Sequence, residues 1–141
     1  MINYLYSILV PWSVERMVKT ILVVDDYSDI ILSVKQVLED STQEFRVIGV
    51  DSGERCLQIL HEGQPPDLIL LDIMMPGMSG WDVAARIKEN EKWKAIPIVF
   101  LTAMGDEMSA GMGRLASEDY IVKPFDIMKL RECVHRVLQA S

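Results

Sequence analysis

Short apolar runs alternate with segments of helical periodicity along most of the chain. Apolar runs without polar alternation are typical of strands that are buried on both faces of a sheet. Between them, apolar residues recur at helical spacing, as in helices that pack one face against a sheet. The predicted strands cover residues 21–24, 45–50, 68–71, 96–101 and 120–122. The predicted helices cover about 29–39, Ser52 to Gly63, Ser79 past Ile87, about 106–116, and Asp126 to Leu138. This alternation predicts an α/β domain with a parallel sheet and helices on both faces.

Capping residues mark the starts of two predicted helices. Ser28 is expected to cap the first helix, because a serine side chain there can accept a hydrogen bond from a first-turn amide. Ser79, followed three residues later by Asp82, has the pattern of a capping box. Gly111 and Gly113 interrupt the fourth predicted helix, and glycine lowers helix stability by about 1 kcal/mol relative to alanine. We therefore expect that helix to be short or frayed.

The composition fits one acidic globular domain. The chain has 141 residues, 50% of them hydrophobic, and a formal net charge of −7. This charge disfavours binding to nucleic acid, which needs basic surface to neutralise phosphates. No apolar segment reaches the roughly 18 to 20 residues that a membrane span requires. The two cysteines form no CxxC pair, as expected of reduced thiols in a cytoplasmic protein.

The start of the chain is apolar and falls outside the alternating pattern. No basic residue precedes the apolar side chains of residues 1–18, and Pro11 interrupts them, so we do not expect a secretory signal. Either the start codon has been assigned too far upstream, or the extension is an apolar arm that docks on the domain or on a neighbouring molecule. The folded domain is expected to cover residues 19–141.

Polar side chains stand at the ends of the first, third, fourth and fifth predicted strands. They are Asp25 and Asp26, then Asp72, Thr102 and Lys123. Because ligands bind at the carboxyl ends of the strands in open α/β sheets, these side chains are expected to converge on one pocket. Singly, each is also explained as a helix cap, a turn residue or a solvated group. Because all of these side chains are expected at the same edge of the sheet, a common functional site is favoured over separate local roles.

The chemistry of this set points to a metal and to phosphorus. Three close carboxylates repel one another, and a bound divalent cation removes that conflict. Oxygen donors with open positions suit Mg²⁺, which is commonly held by one or two carboxylates together with phosphate oxygens. A carboxylate beside Mg²⁺ and a lysine can act as a nucleophile towards phosphorus.

Four segments of the chain match one set of motifs. They are Ile21-Leu22-Val23-Val24-Asp25-Asp26, Asp67 to Gly80, Pro97 to Ala103, and Asp119 to Phe125. Together with the spacing of the strand-end residues, they resemble the receiver domain of two-component response regulators, in particular the stand-alone receivers of the chemotaxis type. The resemblance covers about residues 19–140. It implies a flavodoxin-like, doubly wound (βα)5 fold with strand order 2-1-3-4-5.

The resemblance implies a role for each acid. Asp72 is expected to be the phosphoacceptor, which takes a phosphoryl group from a histidine kinase, a phosphotransfer domain or a small donor such as acetyl phosphate. Asp26 is expected to bind Mg²⁺, or Mn²⁺ in its place, directly, and Asp25 to bind it through water. The backbone carbonyl of Met74 is the expected third protein ligand, beside Asp26 and Asp72.

The resemblance also implies a switch. Lys123 is expected to pair with a phosphoryl oxygen, and its peptide bond to Pro124 is expected to be cis. Thr102 and Tyr120 match the family's switch pair, in which the threonine moves towards the phosphoryl group and the aromatic ring turns inward. The surface of the fourth helix, fifth strand and last helix then changes. We expect partner binding there, including homodimer formation.

Two methionines stand where the family resemblance places the path of the attacking water. Met74 and Met104 lie two residues after the phosphoacceptor and two after the switch threonine. A thioether cannot orient water as an amide or a carboxylate does, so slow self-dephosphorylation is expected. Alternatively, both methionines merely cover the mouth of the pocket.

The expected function is signalling rather than enzymatic turnover. With the receiver ending near Leu138, output is expected through a protein partner in trans, without nucleic-acid or membrane binding. One alternative is a partner-binding pseudo-receiver that no longer accepts phosphate. Another is a phosphotransfer enzyme of the haloacid-dehalogenase type, but it needs Asp-x-Asp where this chain has Asp26-Tyr27-Ser28. A third, a flavodoxin-like cofactor binder, needs a phosphate-cradling loop that the chain lacks.

Overall fold

A five-stranded parallel sheet forms the centre of the molecule, in the order β2-β1-β3-β4-β5. The computed structural model describes residues 18–39, 44–103 and 119–140. The strands are β1 (Lys19–Val24), β2 (Phe45–Val50), β3 (Leu68–Asp72), β4 (Ile98–Thr102) and β5 (Asp119–Val122). The helices in the described ranges are α1 (Ser28–Leu38), α2 (Gly53–Glu62), α3 (Gly80–Glu89) and α4 (Ile127–Ala140). The predicted fold class and strand order are confirmed.

Each face of the sheet is covered by two of these helices. Residues of α2 and α3 pack with Ile69 and Leu71 of the central strand, and residues of α1 and α4 pack with Leu68 and Leu70. All five residues of β3 are buried, as expected of a strand covered on both faces. The central strand therefore carries Asp72 at a fixed position at the end of a rigid element.

The first helix begins differently from the prediction. The N-cap of α1 is Tyr27, with no side-chain cap, and Ser28 is the first helical residue, so the prediction that Ser28 caps the helix was wrong. Asp25 explains the difference, because its Oδ1 accepts a hydrogen bond from the Tyr27 amide at 2.9 Å and so shapes the turn into the helix. The capping box predicted for α3 is confirmed, with Ser79 and Asp82 bonded in both directions.

The fourth strand begins two residues later than predicted. Ile96 lies in a turn, where its amide donates to the carbonyl of Trp93 at 2.9 Å. Pro97 has no amide hydrogen to contribute to a ladder, although its carbonyl accepts from the Ile69 amide at 3.0 Å. The strand proper therefore starts at Ile98 and ends at Thr102.

The outer edge of β2 carries a charged side chain. Glu39 follows α1, and its Oε2 accepts a hydrogen bond from the Val47 amide at 2.7 Å. Within the described ranges β2 pairs with β1 alone, so this amide belongs to the other side of the strand. The end of α1 is thus tied to the edge of the sheet.

Two predicted segments cannot be compared with this fold. The apolar extension, apart from Val18, and the helix predicted over 106–116 lie outside the described residues. Within the described ranges, no helix combines the length and apolar character needed to cross a membrane.

We expect both cysteines to be inert towards thiol reagents in the native protein. Cys56 and Cys133 are unpaired and buried on opposite faces of the sheet. Burial raises the pKa of Cys56 to about 12 and that of Cys133 to about 11, which suppresses the reactive thiolate. Ellman's reagent should label both thiols in urea and neither in buffer. Rapid labelling of the native protein would contradict this burial.

Candidate functional site

The ends of four strands meet at one edge of the sheet and bring the strand-end residues together. Asp25 and Asp26 directly follow β1, while Asp72 is the last residue of β3 and Thr102 the last residue of β4. Lys123 directly follows β5, and its amide donates to the Thr102 carbonyl at 2.6 Å. The parallel register places Thr102 beside Val122. The fold therefore assembles all five residues of the predicted pocket.

Three carboxylates form the centre of this site. One oxygen from each of Asp25, Asp26 and Asp72 lies within 4.8 Å of the others. Asp25 and Asp72 are buried, so water screens their negative charges only weakly. Such a cluster favours a bound cation or a proton.

Lys123 provides one positive charge to the cluster. Its Nζ donates to Asp25 Oδ2 at 2.6 Å and lies 3.4 Å from Asp72 Oδ1. The other oxygen of Asp25 accepts from the Tyr27 amide. Both oxygens of Asp25 are therefore engaged by the protein, and Lys123 is held between two of the acids.

Asp26 has the free oxygen that a metal site needs. Its Oδ1 is buried, and among the described residues it is the one buried side-chain nitrogen or oxygen without a hydrogen-bond partner. An unsatisfied buried carboxylate oxygen is costly unless a ligand completes it. Together with Asp72, it offers the hard oxygen donors that Mg²⁺ prefers. The residues present therefore fit a magnesium ion, with Asp26 better placed than Asp25 for direct contact.

The surroundings of Asp72 disfavour its charged form. Burial raises the pKa of Asp72 to about 6, and the neighbouring carboxylates of Asp25 and Asp26 raise it as well. Lys123 acts in the opposite direction. With this pKa the carboxylate is still mostly ionised near pH 7.

Known proteins are similar to this chain in sequence and in fold. A family model described as the response regulator receiver domain matches residues 21–135. The chain belongs to this family. It is 38% identical over 140 residues to a probable cyclic di-GMP phosphodiesterase of Vibrio cholerae, and the alignment covers 98% of this chain and 31% of that protein. It is 37% identical over 133 residues to the phosphate regulon transcriptional regulatory protein PhoB of Pseudomonas aeruginosa, covering 87% of this chain and 53% of that protein.

A solved receiver structure gives the same picture. The response regulator protein TrrA of Thermotoga maritima, in complex with Mg²⁺-BeF, is 34% identical with a TM-score of 0.73. The match covers 84% of this chain and 98% of that one. This chain spans only about a third to about half of the two curated relatives. The alignment with the Vibrio cholerae protein includes most of residues 1–18, so that relative has a counterpart to the apolar extension.

The structure describes all but one of the remaining residues expected to act in the receiver. Thr102 is buried, and the Tyr120 side chain is 39% exposed on the edge strand β5. The Lys123–Pro124 peptide bond is cis. The side chain of Met74 is 64% exposed. Met104 lies outside the described residues.

Two features of the receiver site were missed by sequence reasoning. One is the contact of Lys123 with Asp25, which is shorter than its contact with Asp72. The other is the close approach of Gly80 to the backbone of Asp72. Only a weak signal pointed to the second: glycine, a poor helix former, directly follows the capping serine of α3.

Proposed function

We propose that this receiver domain accepts a phosphoryl group on Asp72 in the presence of Mg²⁺ and passes a signal through its altered surface. One observation carries the proposal: three carboxylates cluster at one edge of the sheet, two of them share the partly buried Lys123, and one buried oxygen of Asp26 is left without a partner among the described residues. An acid cluster with a purely structural role would leave that oxygen unsatisfied, whereas in a metal-assisted phosphoacceptor the metal ion would bind it.

Asp72 supplies the nucleophile. A carboxylate oxygen of Asp72 attacks phosphorus, the new O–P bond forms, and the bond from phosphorus to the donor breaks. The donor is a phosphohistidine of a kinase or phosphotransfer domain, or a small acyl phosphate, and it leaves with the electron pair of that bond. Lys123, already 3.4 Å from Asp72, offers its ammonium group to the transferred oxygens.

Asp26, Asp72 and the backbone carbonyl of Met74 would hold the Mg²⁺ ion. When bound, the ion supplies positive charge that offsets the negative phosphoryl oxygens. The complex of TrrA with Mg²⁺-BeF supports this choice of ion for a similar chain. Asp25 orients the site instead, because both of its oxygens already accept hydrogen bonds.

The signal passes from the phosphoryl group to the surface through the switch pair. Thr102 ends β4 next to the site, and Tyr120 lies two residues before the strand-paired neighbour of Thr102 on β5. Movement of the threonine hydroxyl towards the phosphoryl group lets the half-exposed ring of Tyr120 turn inward. The changed surface of β5 and α4 binds a protein partner or a second copy of the chain. The upstream partner is a histidine kinase or phosphotransfer domain in the cytoplasm.

Incubation with acetyl phosphate and Mg²⁺, followed by intact-mass measurement, tests the proposal. We expect the mass of one phosphoryl group to be gained by the wild type and not by Asp72→Asn. Asp51→Asn is the matched control, because Asp51 is an exposed acid that follows β2 at the same edge of the sheet. A gain that is retained in Asp72→Asn, or lost in Asp51→Asn as well, would contradict the assignment to Asp72. No gain in the wild type with small donors and kinases would contradict the proposal and leave a partner-binding pseudo-receiver.

Replacing Met74 with asparagine is expected to speed self-dephosphorylation on the order of tenfold. An amide next to the phosphoryl group can orient the attacking water, which a thioether cannot. The decay of the phosphorylated protein is followed by intact mass after the donor is removed. Met128→Asn is the control, because that side chain is also 64% exposed but lies on α4. Adding Met104→Glu should increase the effect, and unchanged decay in both variants would favour a mere cover over the pocket.

A further inference from the structure

We propose that Gly80 is a positioning residue for the metal and phosphoryl site, because it closes the β3–α3 loop (residues 73–79) against the backbone of Asp72. The inference rests on the proposed function of that site. It concerns how the chain holds Asp72 and the carbonyl of Met74 in place. Gly80 itself contacts neither the metal nor the phosphoryl group.

Hydrogen bonds tie both ends of the β3–α3 loop to rigid elements. The amide of Gly80, the first residue of α3, donates to the carbonyl of Ile73 at 2.8 Å. The amide of Ile73 donates in turn to the carbonyl of Leu101 in β4 at 3.2 Å. Ile73 is thus held between the sheet and the helix. Met74, whose carbonyl would bind the metal, follows directly.

The Cα of Gly80 lies against the backbone of the phosphoacceptor. A Cβ atom at Gly80 would lie 2.2 Å from the carbonyl oxygen of Asp72, 3.0 Å from its carbonyl carbon and 2.8 Å from Cα of Ile73. These are backbone atoms, which cannot rotate away as a side chain can. A larger residue at position 80 must therefore move either Asp72 or the start of α3.

The start of α3 is anchored as well, so it cannot simply move away from Asp72. Asp82 Oδ2 accepts from the Ser79 amide at 3.2 Å and from its hydroxyl at 3.0 Å, and Ser79 Oγ accepts from the Asp82 amide at 3.2 Å. Beyond this capping box, α3 buries Val83, Ala84 and Ile87 in the core. Because Asp72 and α3 are both held, we expect crowding at position 80 to distort the β3–α3 loop between them, which carries the Met74 carbonyl.

Space rather than backbone conformation explains the glycine at position 80. Gly77, in the same loop, has φ of +77°, which glycine adopts far more readily than other residues. Gly80 is helical, and alanine would be the better helix former at such a position. The missing side chain is thus needed for the close approach to Asp72.

The test compares Mg²⁺ affinity and stability in Gly80→Ala and Gly49→Ala. A Cβ at Gly49 would be equally crowded, 2.3 Å from Cγ2 of Ile31, but that contact is with a side chain of α1. Affinity is measured by calorimetric titration of metal-free protein with MgCl₂, and stability by urea unfolding. We expect Gly80→Ala to weaken Mg²⁺ binding about tenfold or more. Gly49→Ala should lose stability while keeping Mg²⁺ affinity within about twofold of the wild type.

The outcomes separate this inference from the proposed function. If the wild type neither binds Mg²⁺ nor accepts phosphate, both proposals fail. If the wild type does both and folded Gly80→Ala binds Mg²⁺ equally well, the inference alone is overturned. If Gly80→Ala does not fold, Asp82→Ala replaces it, because it opens the capping box without adding an atom. That variant should bind Mg²⁺ about threefold more weakly, and wild-type affinity would overturn the inference.

Discussion

Replacing Lys123 with methionine is expected to lower the free energy of unfolding of the metal-free protein by about 3 kcal/mol at pH 7. The ammonium group is the partner of Asp25 at 2.6 Å, and the two side chains are only 15% and 0% exposed. Its removal leaves buried carboxylates without a counter-ion, which costs far more than the loss of a solvated ion pair. Urea unfolding in the presence of a chelator measures the change.

Arg136 provides a matched control for this substitution. Its Nη2 lies 2.6 Å from Asp119 Oδ2, the same distance as in the Lys123 pair, but the side chains are 62% and 38% exposed. Arg136→Met should therefore cost less than about 1 kcal/mol. Addition of Mg²⁺ should recover part of the stability of Lys123→Met, because the ion replaces the missing positive charge. Equal losses in the two variants would show that burial does not govern the Lys123 pair.

Replacing Asp72 with asparagine is expected to stabilise the metal-free protein at pH 7 by about 2 to 3 kcal/mol. The pKa of Asp72 is raised from 3.8 to about 6, so the folded protein binds this proton more tightly than the unfolded chain. This contribution to stability is complete below pH 4 and is lost as the pH rises through 6. Asparagine has nearly the same shape as aspartate but no charge, so Asp72→Asn does not lose stability in this way as the pH rises.

The pH profile distinguishes this effect from a general change in packing. Urea unfolding of the wild type and of Asp72→Asn should be compared at about pH 4.5 and pH 7.5 in a chelator. The difference between the two proteins should grow with pH, whereas Asp51→Asn should run parallel to the wild type. In saturating Mg²⁺ the advantage of asparagine should disappear or reverse if the Asp72 carboxylate binds the ion as proposed. If the difference in the free energy of unfolding does not depend on pH, the charge of Asp72 is not its cause.

The alternation of apolar runs and helical periodicity was sufficient to predict a parallel sheet with helices on both faces, because each strand of such a sheet must be covered on both faces. The strand order came from the resemblance to receiver domains. It also predicted which side chains meet, since the ends of parallel strands share one edge. Asp72 and Lys123 are 51 residues apart in the sequence, yet their charged groups lie 3.4 Å apart. Topology, rather than local sequence, brings them together.

Details set by tertiary contacts could not be predicted in the same way. Ser28 has the residue type of an N-cap, but the bond from the Tyr27 amide to Asp25 determines where α1 begins. Lys123 Nζ lies closer to Asp25, at 2.6 Å, than to Asp72, at 3.4 Å, and this difference is set by the packing of the strand ends. The crowding at Gly80 arises between a helix and a strand end that the sequence alone does not place in contact.

The hydrogen bond between Glu39 and the Val47 amide is expected to oppose aggregation through the edge of the sheet. The last strand of an open sheet presents unpaired amides, onto which a strand of another molecule can add and start aggregation. In β2 the Glu39 carboxylate accepts a hydrogen bond from one such amide and places a negative charge on that edge. An incoming strand would have to displace the carboxylate and bury its charge. We therefore expect Glu39 to disfavour the addition of a strand from another molecule at this edge of β2.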